Sequence, residues 1–168
     1  MCQELGSAAG WLTSAECALE QQKESMMRVA IGSDHRGFEI KKKVVALLEQ
    51  LGHDVLDVGT DGTQSVDYPD FANAVSRKVV AQTAERGILI CGTGIGMAIA
   101  ANKVQGVRAA TCHDELTAQM SRLHNDTNIL CLAADLLGKP LIDRMVETWL
   151  NTGFEEGRHL RRVKKIGR

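Results

Sequence analysis

The sequence predicts a three-layer α/β/α sandwich around a five-stranded parallel sheet, Rossmann-like or flavodoxin-like in layout. Short apolar runs rich in β-branched residues alternate with amphipathic stretches at helical spacing, five times over between Arg28 and Leu150. The strand-like runs are apolar on nearly every residue, which fits strands covered on both faces rather than a sheet with one wet side. Parallel strands joined by right-handed helical crossovers follow from that alternation.

Arg28 to Gly32 reads as the first strand and Ser33-Asp34-His35-Arg36-Gly37 as its loop. A helix over Phe38 to Leu51 places Ile40, Val44, Leu47, Leu48 and Leu51 on one face and Lys41 to Lys43 in water, with Gly52 ending it. His53 to Val58 is the second strand. Gly59 to Pro69 is a polar loop closed by Asp67-Tyr68-Pro69-Asp70, and Phe71 to Gln82 is helical. The third strand, Ile88 to Ile90, runs into Cys91-Gly92-Thr93-Gly94-Ile95-Gly96 and a helix over Met97 to Val104. Gly106 to Cys112 and Ile129 to Ala133 are the last two strands, with a helix from Asp114 to Leu123 between them. Leu141 to Leu150 belongs to the last regular helix, its first turn set by Gly138-Lys139-Pro140.

At 168 residues the chain has room for one domain with a substantial core. Residues 1–26 differ in character, carrying Trp11, two cysteines and scattered acids, and read as a poorly ordered extension in which Thr13 or Ser14 could start a short helix. An upstream start codon, with Met27 as the working first residue, has the same appearance. Residues 27–168 form the domain.

A formal net charge of -1 offers no global field to recruit nucleic acid or an anionic membrane. No apolar run approaches the roughly 20 residues that span a bilayer, and the N-terminus lacks a basic n-region and a continuous apolar h-region, so a cytoplasmic location is expected. The five cysteines, at positions 2, 17, 91, 112 and 131, form no CxxC pair and no zinc spacing with histidine, so reduced thiols are the default.

In open parallel sheets, ligands bind beyond the carboxyl ends of the strands where the strand order reverses. With the order 2-1-3-4-5 that point lies between strands 1 and 3, and Asp34, His35, Cys91 and Thr93 converge there from two distant loops. The loop Gly92-Thr93-Gly94-Ile95-Gly96 lacks both the GxGxxG spacing of dinucleotide folds and the Lys-Ser/Thr ending of a P-loop, so neither NAD nor ATP is supported. It can present several backbone N–H groups to a developing oxyanion. Cys91, just before a helix, faces the positive end of its dipole and is expected to serve as nucleophile or general base. His124 closes the fourth helix, where a histidine commonly complements the dipole. Arg158 and Arg162 stand four apart and, on a helix, could grip a phosphate dianion; otherwise they are part of a solvated basic tail running to Arg168. His113, Asp114 and Asp135 show no role from spacing alone.

Five motifs in order, Gly32-Ser33-Asp34-His35-Arg36-Gly37-Phe38, Asp67-Tyr68-Pro69-Asp70, Ile90 to Gly96, Ala100-Ala101-Asn102-Lys103 and Ser121-Arg122-Leu123-His124-Asn125-Asp126, resemble the type B ribose-5-phosphate isomerase family and the related galactose-6-phosphate isomerase subunits. The resemblance covers Met27 to about Gly167. It implies a metal-free, cofactor-free aldose–ketose interconversion of ribose 5-phosphate and ribulose 5-phosphate, a step of the pentose phosphate pathway, through a cis-enediolate. By that resemblance Cys91 is the base, the backbone of Gly92, Gly94 and Gly96 supports the enediolate oxygen, and Thr93 assists proton handling. His124 assists ring opening with Asn125 beside it, Asp34 and His35 line the sugar pocket, and Arg158 and Arg162 hold the phosphate. It implies also a homodimer or homotetramer with sites shared between subunits.

Two positions qualify the resemblance. Some relatives place a glutamate base where this chain has Met97, so the chain is of the cysteine type. The family often has a further phosphate-binding arginine in a Gly-x-Arg pattern where this chain reads Ala133-Ala134-Asp135. Either Arg158 and Arg162 suffice, or the substrate differs, for example a six-carbon sugar phosphate such as galactose or allose 6-phosphate. Rival readings are a non-catalytic sugar-phosphate or nucleotide sensor, and nucleic-acid contact through Arg158 to Arg168.

Overall fold

The computed structural model describes residues 26–166. The expected extension, apart from Met26, lies outside the described residues. Five parallel strands, β1 (Arg28–Ser33), β2 (Asp54–Asp57), β3 (Arg86–Cys91), β4 (Ala109–Thr111) and β5 (Ile129–Ala133), form one sheet. The helices are α1 (Phe38–Gln50), α2 (Tyr68–Val80), α3 (Ile95–Ala101), α4 (Glu115–Asn125), α5 (Lys139–Asn151) and α6 (Gly157–Ile166).

Strand residues alternate between two apolar layers. Val29, Ile31, Ile88, Ile90, Leu130 and Leu132 pack with Val44, Leu48, Ile142, Met145 and Trp149 of α1 and α5 on one face. Ala30, Leu89, Cys91, Ile129 and Cys131 pack with Ala72, Val75, Met97 and Ala101 of α2 and α3 on the other. Near-continuous apolar strands are what two covered faces require.

The sheet order is β2-β1-β3-β5-β4, which corrects the expected 2-1-3-4-5. All five residues of β5 are fully buried, whereas the three of β4 are half-buried. The longer, wholly apolar strand gains more by lying inside the sheet, and the short one serves as its edge. The reversal between β1 and β3 is unaffected.

Three local departures matter for the site. α2 begins at Tyr68 rather than Phe71, because Pro69 fits the first helical turn, where its missing N–H costs nothing. α3 begins at Ile95 rather than Met97, so the glycine loop is tighter than expected. The third concerns Lys41, placed in water by the sequence but only 1 % exposed in the structure. It stands three residues before Val44 and seven before Leu48, on the stripe facing the sheet, and its ammonium lies 2.5 Å from both carboxylate oxygens of Asp57 at the end of β2.

That pair yields an asymmetric prediction. Asp57→Ala strands a buried ammonium and should cost about 3 kcal/mol. Lys41→Met leaves a carboxylate that is 38 % exposed and still bonded to the Gly59 N–H, so its loss should be nearer about 1 kcal/mol. Urea unfolding of the two variants gives the order directly.

Candidate active site

Parallel pairing sets Ser33 of β1 beside Ile90 of β3, so the loops after both strands leave the sheet together. Between them opens a cleft of about 250 Å³ that includes Asp34, Arg36, Tyr68, Cys91, Thr93 and Asp135. Cys91 is 5 % exposed and ends β3 on the α2–α3 face. Its Sγ accepts the Gly94 N–H at 3.1 Å. The other two described cysteines differ in kind. Burial pushes the Cys131 thiol well up and raises that of Cys112, which keeps both protonated and inert.

Gly94 holds φ +73°, a left-handed conformation that turns the chain from β3 into α3. A Cβ there would also meet Thr111 Cγ2 at 2.9 Å. Gly94→Ala should therefore lower stability by about 1–3 kcal/mol, read as a fall in thermal midpoint, and pull the N–H away from Cys91. Gly96 has a different reason: a Cβ would sit 2.8 Å from the Tyr68 ring, which leans on this glycine.

The first loop is braced from within. Asp34 is buried and its Oδ1 accepts the N–H groups of Arg36 at 2.9 Å and Gly37 at 3.0 Å, so one carboxylate oxygen shapes the turn while the residue lines the cleft. His35 faces the loop before α2, its Nδ1 accepting the Val66 N–H at 3.3 Å. Asp135, where the resemblance implies an arginine, is bound by Arg36, whose Nη2 lies 2.5 Å from Oδ2. This pair lies against Gly92 and cancels the charge that would repel a phosphate.

The remaining candidates gather elsewhere. α4 runs back against the strand direction, so His124 and Asn125 at its C-terminal end reach the amino edge of the sheet, about 16 Å down the helix from the β4 end. α6 is helical, which decides between the helix and the irregular basic tail that the sequence left open, and Arg158 and Arg162 share a face, both exposed. His124 and His159 stack with ring centroids 4.2 Å apart. Glu155 Oε2 lies 3.5 Å from His124 Nε2 and 3.8 Å from His159 Nε2. Burial chiefly, with His124 and the two arginines adding to it against Glu155, lowers the His159 pKa and favours the neutral ring. These three side chains are a metal-ligand type of grouping, but parallel rings cannot both aim an in-plane lone pair at one ion, and Arg158 Nε already donates to His159 Nε2 at 3.2 Å. Within one chain, then, the thiol and the His124–Arg158–Arg162 group occupy different ends of the fold.

Sequence reasoning did not single out Arg36, Tyr68, Glu155 or His159. The first two lie inside motifs that were noted, and Glu155 and His159 stand four apart beside Arg158, a spacing that flags a shared helix face.

The sequence model described as Ribose/Galactose Isomerase matches residues 29–166. The chain belongs to the ribose/galactose isomerase family. It is an aldose–ketose isomerase of sugar phosphates. It is similar to ribose-5-phosphate isomerase B of Clostridium thermocellum, at 50 % identity and a TM-score of 0.83 over 84 % of this chain and 95 % of that one. Ribose-5-phosphate isomerase B of Escherichia coli is 44 % identical over 84 % of this chain and 95 % of its own length. D-erythrulose-4-phosphate isomerase of Pectobacterium atrosepticum is 40 % identical over 84 % and 94 %. Relatives in this isomerase family thus carry names with different sugar phosphates.

Proposed function

We propose that the chain interconverts ribose 5-phosphate and ribulose 5-phosphate, in sites that two copies complete together. The observation that carries this reading is the Cys91 sulfur, set in a small cleft at the strand-order reversal and bonded by the Gly94 N–H. A thiolate there takes the proton from C2 of the opened aldose and returns it to C1, with a cis-enediolate between. The charge that develops on oxygen meets the backbone N–H groups of Gly92 and Gly96, a preorganised stabilisation that water cannot supply, while the Gly94 N–H stays on the sulfur. Thr93, exposed at the rim, moves the proton between the two oxygens; Asp34 and His35 shape the sugar end.

His124, with Asn125, opens the sugar ring, and Arg158 and Arg162 hold the phosphate as a pair of guanidinium forks. Because these lie away from the thiol in one chain, they serve the cleft of a second copy. The cleft rim favours such docking: Ile95 and Ile99 beside the glycine loop and Leu136 beside Asp135 are 54 %, 58 % and 64 % exposed, an apolar collar that a partner would cover.

The deciding experiment is an isomerase assay of the purified chain on four-, five- and six-carbon sugar phosphates. Five-carbon turnover well above the others is the expected result. Preference for a four- or six-carbon substrate removes the ribose assignment, and binding without solvent-deuterium exchange at the substrate carbon removes catalysis.

A further inference from the structure

A cavity of about 510 Å³ opens at the amino edge of the sheet, the end opposite Cys91, between the starts of β3 and β5. Glu85, Arg86, Arg108, Asp126 and Asn128 line it. Four guanidinium groups crowd this corner, those of Arg28, Arg86, Arg108 and Arg122, against the two carboxylates of Glu85 and Asp126.

Both carboxylates are already engaged. Asp126 gives Oδ1 to Arg122 at 2.8 Å and Oδ2 to Arg108 at 2.7 Å. Glu85 Oε2 accepts the Arg28 N–H at 2.7 Å and lies 3.9 Å from its guanidinium. Arg86 is left with the Glu85 carbonyl at 3.2 Å, a contact of Nη1, while its buried Nε meets no acceptor among the described residues. Its guanidinium and that of Arg122 stand 5.9 and 6.0 Å from the Trp149 ring centroid. Burial first, then Arg122 and Arg108, lower the Arg86 pKa to about 10 against the opposing pull of Asp126 and Glu85, so the two carboxylates do not fully offset burial and the neighbouring cations.

A guanidinium held without a counter-ion is costly, and its planar fork matches two oxygens of one phosphate. We infer that this cavity is a second anion site, in which a phosphate dianion lies between Arg86 and Arg108. The space beyond the two arginines admits more than the ion itself, so the phosphate can be free or the end of a small organic ester. The inference does not depend on the catalytic reading, since it uses none of the residues placed in that machinery.

The test is calorimetric titration of the full chain with inorganic phosphate, in a Arg158→Ala/Arg162→Ala background that silences the proposed substrate site. Binding in that background is expected to persist, to fall at least about tenfold with Arg86→Met, and to fall by a smaller factor with Arg86→Lys, which keeps the charge but loses the planar fork. Loss of all phosphate binding in the background variant, or affinity unchanged by Arg86→Met, overturns the inference. Should Arg86→Met fail to fold, melting of the background variant in phosphate against chloride at equal ionic strength decides: a rise of about 3 °C supports the site and equal midpoints overturn it. Repeating the titration with glycerol phosphate separates the sources, tighter binding than phosphate marking an organic ester and equal or weaker binding marking the free ion.

Discussion

Cys91→Ala is expected to turn over its sugar phosphate about 10²–10⁴-fold more slowly than the parent chain while binding it with similar affinity. In the proposed mechanism the thiol takes the proton from carbon, so removing it leaves the proposed backbone donors and phosphate grip in place. The substitution also deletes the acceptor of the Gly94 N–H, so a loss of stability of about 1 kcal/mol should accompany it. Cys131→Ala is the matched control. That thiol is fully buried in β5 and held protonated by its surroundings, so the variant should lose stability and keep its turnover. Solvent-deuterium incorporation into the substrate, followed alongside turnover, reads proton transfer itself. Full exchange in Cys91→Ala removes the cysteine from the mechanism.

Co-expressed with differently tagged partners, Cys91→Ala and His124→Ala chains, each impaired alone, are expected to restore activity when they pair. The reason is geometric. If the thiol and the imidazole of one site come from different copies of a twofold dimer, a mixed dimer has one site carrying both lesions and one carrying none. Random pairing then recovers about a quarter of parental activity, and the isolated mixed dimer about half. Were each site built within a single chain, every site in the mixture would carry one lesion and no recovery would follow. Measuring turnover of the doubly tagged fraction distinguishes these outcomes without depending on which sugar phosphate is used.

The elements and the site loops were legible because their signals are local. The continuous apolar run of β3, the i, i+3, i+4 spacing of α1 and the glycines after Cys91 each act over a few residues, and the crossover rule then places the loops after β1 and β3 together. Pairings across the fold were not legible. Nothing adjacent to Lys41 announces Asp57, and nothing near Asp135 announces Arg36, because each ion pair joins residues far apart in the chain. The order of β4 and β5 was hidden for a related reason: it depends on comparing the burial of two strands in the assembled sheet, while each looks apolar alone.

By itself, then, the sequence determined the α/β alternation, the glycine loop behind a cysteine and the four-residue spacing of the two arginines, all matters of short-range pattern and backbone sterics. Only the tertiary structure decided that Asp135 is neutralised, that Lys41 is buried, and that His124 and the arginines stand apart from the thiol of their own chain. Those are matters of through-space charge and of helix direction, which a linear spacing does not encode.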